Sequence, residues 1–117
     1  MREKKWFSAK VRTVCLVEHY GADSFMDMVF VFRAESFEDA LQRAIELGKC
    51  TEEEYLNVYN ERVRWRLKDV ITLDMIRKKS LDGAEVYSEF VDVPEDENIP
   101  FDAEFHPERS KPEHTGI

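Results

Sequence analysis

The clearest structural signal in this chain is the segment Ser36-Phe37-Glu38-Asp39-Ala40-Leu41-Gln42-Arg43-Ala44-Ile45-Glu46-Leu47-Gly48. Ser36 can cap the first amides of a helix, with Asp39 as a shortened capping-box partner. Gly48 can adopt the left-handed conformation that closes a helix. Between these ends, apolar residues recur at the helical period and form one stripe: Phe37, Ala40, Leu41, Ala44 and Ile45. We therefore predict a helix over residues 37–47 that buries its large apolar side chains, Phe37, Leu41 and Ile45.

The other patterned segments alternate in polarity as β-strands do. They cover residues 6–19, 25–34, 55–59, 63–75 and 84–93. The turn composition of residues 20–24 predicts that the first two strands form an antiparallel hairpin. In the fourth strand Asp69 falls on the inward face and Val70 outside it, and a bulge near Lys68-Asp69 would restore the register. The sequence thus predicts an α+β fold of order β-β-α-β-β-β, an antiparallel sheet of about five strands with one helix on one face.

Length and charge favour one domain followed by a tail. The chain has 117 residues, 43% hydrophobic and 36% charged, which suffices for one core over residues 1–93. Residues 94–117 form an acidic, Pro-containing tail, with seven acidic residues against two basic ones, in a chain of net charge −8. We expect this tail to be disordered or docked as an extended segment. A charged start without an apolar segment behind it favours the cytoplasm.

The same features argue against two classes of partner. General nucleic-acid binding is disfavoured, because phosphate contacts need a clustered basic surface. A membrane is not an expected partner, because no apolar run is long enough to span a bilayer. An acidic protein is better suited to a basic protein partner.

The residues that usually carry catalysis or hold metals form no motif here. Cys15 and Cys50 do not have zinc-site spacing, so we expect reduced thiols with at least one buried. His19, His106 and His114 have no partner at ligand spacing. No catalytic, cofactor or metal residues are assigned and no cofactor is expected. A non-enzymatic role is favoured, with a small enzyme left open.

Basic residues recur on one face of the first and fourth predicted strands. The candidate partner-binding patch consists of Lys10, Arg12, Arg64, Arg66 and Lys68, with Trp6 at its rim. If the two strands are neighbours, this patch can hold an anionic ligand or an acidic partner segment, including the acidic tail of the same or a partner subunit. The alternative is a solvated face whose charges pair with acids on adjacent strands.

Several segments taken together resemble a known family. They are Trp6-Phe7-Ser8-Ala9-Lys10, Val31-Phe32-Arg33-Ala34-Glu35-Ser36-Phe37-Glu38-Asp39-Ala40, Tyr55-Leu56-Asn57-Val58-Tyr59 with Val63-Arg64-Trp65, and Leu81-Asp82-Gly83-Ala84-Glu85-Val86-Tyr87-Ser88. Over roughly residues 5–90 the chain resembles a family of small bacterial proteins described as a domain of unknown function, whose members open with a Trp-Tyr/Phe-Ser-Ala-Lys strand. The resemblance implies no activity and no catalytic residues, and the acidic tail lies outside it.

Apolar residues are also expected on the sheet face that the helix leaves open: Trp6, Val14, Leu16, Val70 and Val91. Two sheets meeting, or an edge strand pairing with another chain, would cover them. We therefore expect a non-enzymatic interaction module of the bacterial cytoplasm that self-associates as a homodimer. Two alternatives stay open. One is an immunity or antitoxin-like protein that neutralises a basic toxin, and the other is a small-molecule or anion binder that uses the basic sheet face.

Overall fold

The computed structural model describes residues 3–113 as four strands, one α-helix and a short 3-10 turn. The elements are β1 (Lys5–Val17), β2 (Gly21–Ala34), α1 (Phe37–Lys49), β3 (Glu53–Leu56), β4 (Arg62–Ile76) and the 3-10 turn Pro107–Arg109. All strand pairs are antiparallel, and the spatial order is β2-β1-β4-β3. The α+β class and the first hairpin are therefore confirmed, and β1 and β4 are neighbours.

The prediction of a fifth strand over residues 84–93 is wrong. This segment forms neither helix nor strand, and the sheet has four strands instead of about five. Tyr87 and Glu89 instead reach the sheet through their side chains, at Lys10. Val86 and Tyr87 are partly buried and residues 88–93 are all exposed, so the alternating polarity of the segment does not reflect pairing along an edge.

Helix α1 begins where the sequence predicts. Ser36 is the N-cap, and its Oγ accepts a hydrogen bond from the Asp39 amide at 3.2 Å. The buried positions are, however, the small ones, Ala40, Ala44 and Gly48. Phe37 and Leu41 are 53% and 41% exposed, which corrects the prediction that they would be core residues. Small side chains on the buried face let the helix backbone lie close to the sheet.

Gly48 has a different role from the one predicted. It lies inside the helix, which continues to Lys49, and the C-cap residue Cys50 keeps a right-handed conformation. A Cβ atom on Gly48 would lie 2.8 Å from Cδ1 of Leu67. Gly48 therefore does not close the helix with a left-handed turn but allows α1 to approach β4.

The core lies between α1 and one face of the sheet, called here the inner face. Its buried residues are Phe7, Ala9, Phe32, Ala34, Ala40 and Ala44. Phe30, Leu47, Val70, Leu73 and Met75 pack around them. Phe37 adds an edge-to-face contact with Phe7, at 5.1 Å between ring centroids.

Two bulges interrupt the pairing of β4 with β1. Arg12 lies opposite Asp69 and Thr13 opposite Leu67, so Lys68 is an extra residue. This is the predicted bulge near Lys68-Asp69, and it turns Val70 to the inner face opposite Val11. A second, unpredicted shift follows between Lys10 and Val11 and leaves Ile71 as another extra residue, 39% exposed.

The segment after Tyr87 stands apart from the core. Every residue from Ser88 to Glu113 is exposed, including Phe90, Phe101 and Phe105. The domain boundary at residue 93 and the state of the tail stay predictions. Residues 1, 2 and 114–117, which those two ranges include, lie outside the described residues. Within residues 3–113, no helix has the length and apolar character needed to cross a membrane.

Candidate partner-binding surface

The predicted basic patch lies on the sheet face opposite α1, called here the outer face. Because β1 and β4 are neighbours, Val14 pairs with Arg66 and Leu16 with Arg64. Lys10 and Arg12 occupy the same face of β1, since they alternate with the buried Val11. Trp6 lies at one end of this face, where it pairs with Arg33 and Ile76. The structure thus brings the patch to one face but spreads it along the length of the strands.

Acidic neighbours neutralise the centre of this patch. Arg12 holds Asp27 on the adjacent strand through two hydrogen bonds, Nε–Oδ1 at 2.8 Å and Nη2–Oδ2 at 2.9 Å. Lys10 lies 3.6 Å from the second carboxylate oxygen. The hydrogen bond from Arg12 lowers the pKa of Asp27, and the same contact raises the pKa of Arg12. This pair is the cross-strand neutralisation that the sequence left open as an alternative.

A second ionic contact fastens the segment after β4 to the outer face. Lys10 Nζ donates to the Tyr87 hydroxyl and to Glu89 Oε2, each at 3.0 Å. The Tyr87 hydroxyl in turn donates to Glu89 Oε2 at 2.8 Å. We call these three residues the clamp. Their hydrogen bonds raise the pKa of Lys10, chiefly through Tyr87, and lower the pKa of Glu89, again chiefly through Tyr87.

The clamp lies near two buried hydroxyl groups on the outer face of the sheet, those of Ser8 and Thr72. Ser8, only 1% exposed, lies on β1 on the same face as Lys10. Its Oγ and the Oγ1 of Thr72 are buried without a hydrogen-bond partner among the described residues. We call residues 84–89 the clamp segment. Two of its residues, Val86 and Tyr87, line a shallow cavity of about 300 Å³ with Ser8 and Ile76.

The remaining predicted bases lie toward the other end of β4. Lys68 pairs with its neighbour Asp69 at 2.7 Å, and both Lys68 and Arg12 lie over the ring of Phe25, at 5.7 and 5.3 Å from its centroid. Arg64 and Arg66 are exposed and make no ion pair within residues 3–113. Only these two of the five predicted bases are therefore available to an anionic partner without displacing an ion pair in the described chain.

A stronger basic cluster surrounds Trp6 and was not predicted. A pocket of about 500 Å³ there has six basic lining residues and a single acidic one, Glu3. The bases are Lys4, Lys5, Arg33, Arg77, Lys78 and Lys79. None of them forms an ion pair in the part of the chain that the structure describes, and the Arg33 guanidinium lies 5.8 Å from the centroid of the Trp6 ring. We call this the Trp6 pocket.

The missed signal was the pairing register. Lys4 and Lys5 lie just before and at the start of β1, Arg33 is the next-to-last residue of β2, and Arg77-Lys78-Lys79 follows β4. In an antiparallel sheet with β1 between β2 and β4, the start of β1 lies beside the ends of β2 and β4. The pairing of Trp6 with both Arg33 and Ile76 therefore brings these basic residues to the same end of the sheet. Read along the sequence, the same residues look like three separate polar ends.

The comparison with protein families covers the strands, the helix and most of the clamp. A family model described as Domain of unknown function (DUF4288) matches residues 6–88. The chain belongs to this family. The matched range includes all four strands except the first residue of β1, the whole of α1, and two of the three clamp residues, Lys10 and Tyr87. The exposed residues 89–113 lie outside the match.

The family membership confirms the resemblance to a domain of unknown function; the bacterial origin and the opening-strand motif stay predictions. No curated protein and no solved structure matches the chain.

The free edge of β2 is the longer of the two edges of the sheet. β2 has 14 residues, and within residues 3–113 no strand pairs with its edge opposite β1. Four of its large apolar side chains are exposed: Phe25, Met26, Val29 and Val31. Beside its C-terminal end, a groove of about 630 Å³ separates residues 31–34 from the Asp39–Glu46 side of α1. The opposite edge of the sheet is the short β3, with only four residues.

Within the described part of the chain, thiols and metal ligands form no further candidate site. Cys15 is buried, which raises the pKa of its thiol through desolvation, and Cys50 is exposed; both are free. Within residues 3–113, no three His, Cys, Asp or Glu side chains are grouped so that they could hold a metal ion.

Proposed function

We propose that this chain is a small non-enzymatic interaction module that self-associates by pairing the free edge of β2 with β2 of a second copy. The observation that carries the proposal is the length and composition of that edge. Folded proteins protect edge strands by keeping them short or by placing lysine, proline or a bulge on them. β3 is protected by its length. β2 contains neither lysine nor proline, and its pairing with β1 runs without a shift from Phe25 to Ala34.

The sequence of β2 also selects a register. In an antiparallel pair of identical strands, inner-face residues meet inner-face residues only when one residue lies opposite its own copy. Centred on Phe30, the pairing places Val29 opposite Val31 and Asp27 opposite Arg33, each twice by symmetry. Centred on Asp27, it would place two carboxylates face to face, which is destabilising. We therefore propose the Phe30-centred register.

The two-fold axis of this pairing is perpendicular to the sheet. Both copies of α1 then lie on the same side, and the four-stranded sheets join into one continuous sheet of eight strands. The exposed side chains of Val29 and Val31 gain cross-strand partners, and the unpaired amides and carbonyls of both edges are satisfied. Asp27 would lie between its own Arg12 and Arg33 of the second copy.

Light scattering tests the proposal. The wild-type chain should have about twice its monomer mass of 13.9 kDa at micromolar concentration. In a Lys78→Glu/Lys79→Glu background, which removes basic residues of the Trp6 pocket as a second source of association, Val29→Lys places a charge on the edge, as natural edge strands do, and should give a monomer. Ile71→Lys is the matched control, because Ile71 is also a partly exposed apolar residue but lies on a bulge of β4. A wild-type monomer at every concentration, or a dimer that Val29→Lys leaves intact, would contradict the proposal.

A second function, binding of an anionic partner, is favoured by the unpaired bases of the Trp6 pocket. It differs from the anion binder predicted from the sequence in its location, since Lys10 and Arg12 are neutralised by Asp27 and Glu89. The immunity or antitoxin alternative has only the acidic net charge of −8 behind it and stays a prediction.

A further inference from the structure

We infer that the Trp6 pocket binds an acidic peptide segment, and that its occupant is residues 90–105 of a second copy of this chain. We call residues 90–105 the acidic segment. This interaction does not require the pairing of β2, and Arg33 is the one pocket residue that also belongs to the β2 edge.

Opposite charges are concentrated on the two surfaces. The acidic segment contains six acidic residues and no basic one: Asp92, Glu95, Asp96, Glu97, Asp102 and Glu104. The Trp6 pocket has six bases and one acid, in a chain whose net charge is −8. Bases crowded together without counter-charges repel one another, and a segment of opposite charge relieves that repulsion. Carboxylates can also form paired hydrogen bonds with Arg77.

Aromatic residues give the interaction an apolar component. Phe90, Phe101 and Phe105 project fully or almost fully into solvent, at 107%, 107% and 77% exposure. The Trp6 pocket offers the half-buried indole ring of Trp6 beside Ile76 as an apolar floor among the bases. A phenylalanine packed there would leave the neighbouring carboxylates within reach of the lysines. Acidic motifs are recognised by basic clusters in this way in other peptide-binding proteins.

The position of the chain's own segment points to a second copy as its source. The clamp fixes Glu89 at Lys10, in the middle of the outer face. Arg77 and Lys78 of the Trp6 pocket also line the neighbouring cavity with residues 85–88 of the same chain, whereas no residue of 90–105 lines either cavity. Every described residue from Ser88 onward is exposed. The segment therefore leaves the body beyond the clamp with its acids and aromatics free to meet another molecule.

Titration of a labelled peptide with the full-length protein tests the site. The probe is a fluorescein-labelled peptide of residues 90–105, and fluorescence anisotropy reports its binding. The double variant Lys78→Glu/Lys79→Glu should weaken binding at least about tenfold, and added salt should weaken it further. Arg64→Glu/Arg66→Glu is the matched control, with the same change of charge on the outer face away from the pocket, and should change binding less than about twofold. Equal losses for the two variants would overturn the site.

Two further probes make the test specific. A peptide carrying Phe101→Ser and Phe105→Ser should bind about tenfold more weakly, because it lacks the aromatic contacts. Equal binding of that peptide would overturn the role of the aromatic residues. The Val29→Lys protein should bind the original peptide as the wild type does, so that failure of β2 pairing and failure of this site give different results.

A mixed-label NMR experiment tests the source of the segment. Unlabelled Asn98→Cys protein in a Cys50→Ser background, with a nitroxide attached at position 98, is mixed with ¹⁵N-labelled wild-type protein. We expect signal broadening at the Trp6 indole and at the amides of Arg33 and Arg77 of the labelled copy, and none at Arg64. Broadening that appears only when the nitroxide and the ¹⁵N label are in the same chain would show that each segment binds its own pocket, and would overturn the second-copy inference.

Discussion

Lys10 and Glu89, 79 positions apart in the chain, meet on the outer face of the sheet with 3.0 Å between Nζ and Oε2. The contact joins the central strand to a segment that has no regular secondary structure of its own. Tyr87 completes the clamp, because its hydroxyl accepts from Lys10 and donates to Glu89. Within residues 3–113, no residue after Glu89 makes a side-chain hydrogen bond to the sheet, so the clamp is the last such contact before the acidic segment.

Loss of the Tyr87 hydroxyl should release the clamp segment. Tyr87→Phe keeps the ring that lies near Lys10 but removes the hydrogen bonds to Lys10 and Glu89. We expect faster amide hydrogen exchange over residues 84–89 and unchanged exchange in the strands, since the hydrogen bonds of the strands are not affected. Tyr59→Phe is the control, as Tyr59 is 80% exposed and its hydroxyl makes no hydrogen bond within residues 3–113. Unchanged exchange in the Tyr87 variant would mean that other contacts hold the segment.

Acid should weaken the outer-face ion pairs. The pKa values of Asp27 and Glu89 are lowered by hydrogen bonds from Arg12 and Tyr87, respectively. A carboxyl group with a lowered folded-state pKa stabilises the fold above its unfolded-state pKa of about 4, and this contribution is lost as pH falls through the folded-state value. The free energy of unfolding should therefore fall on acidification below about pH 4.

Substitution of Asp27 identifies the source of that pH dependence. Asp27→Asn should reduce the slope of unfolding free energy against pH in denaturant titrations between about pH 2 and pH 5. Asp82→Asn is the control, because Asp82 is exposed and forms no ion pair in the described chain. If both variants keep the wild-type slope, the Arg12–Asp27 pair does not contribute to acid sensitivity.

The contact between Gly48 and Leu67 should appear as an energetic coupling. A Cβ atom at position 48 would meet Leu67 Cδ1 at 2.8 Å, so Gly48→Ala forces the leucine or the helix to shift. Overpacking of this kind costs about 1–3 kcal/mol, whereas replacing glycine by alanine inside a helix gains about 1 kcal/mol. In a Leu67→Ala background only the gain remains.

A double-mutant cycle by urea unfolding measures this coupling. We expect Gly48→Ala to be more favourable in the Leu67→Ala background than in the wild type by about 1–3 kcal/mol. Additive effects within about 0.5 kcal/mol would show that the helix does not need glycine for its approach to β4.

The sequence was informative wherever one residue and its near neighbours determine the conformation. Ser36 identified the start of α1, alternation identified the two long central strands, and the conflict between Asp69 and Val70 located a bulge. Periodicity indicated which side of α1 faces the sheet, but it did not indicate how closely the helix approaches the sheet. The close approach of α1 to β4, which Gly48 allows, depends on tertiary contacts that periodicity does not reveal. Phe37 and Leu41 remain partly exposed in this arrangement.

The features that sequence reasoning missed depend on contacts between distant segments. Residues 84–93 alternate like a strand, but they contact the sheet through the side chains of Tyr87 and Glu89 at Lys10 and not through strand pairing. The charges of Lys10 and Arg12 are visible in the sequence, whereas their neutralisation depends on where Asp27 and Glu89 are placed. The Trp6 pocket, likewise, forms only through the register that joins the ends of β1, β2 and β4.

The central claim is that two copies pair along β2 in the Phe30-centred register, and a designed disulfide tests it most directly. In a Cys50→Ser background, which removes the exposed native thiol, Val29→Cys/Val31→Cys should give a covalent dimer under mild oxidation. Residues directly opposite on paired strands have Cβ atoms about 4.5–5.5 Å apart, close to disulfide range. Within one strand, positions two apart are separated by about 6.6 Å, which disfavours an internal bond.

The single variants Val29→Cys and Val31→Cys are the controls, because in this register neither position faces its own copy. The account predicts a covalent dimer on a non-reducing gel for the double variant and monomers for both single variants. The absence of a covalent dimer in the double variant, or equally fast cross-linking of a single variant, would contradict it.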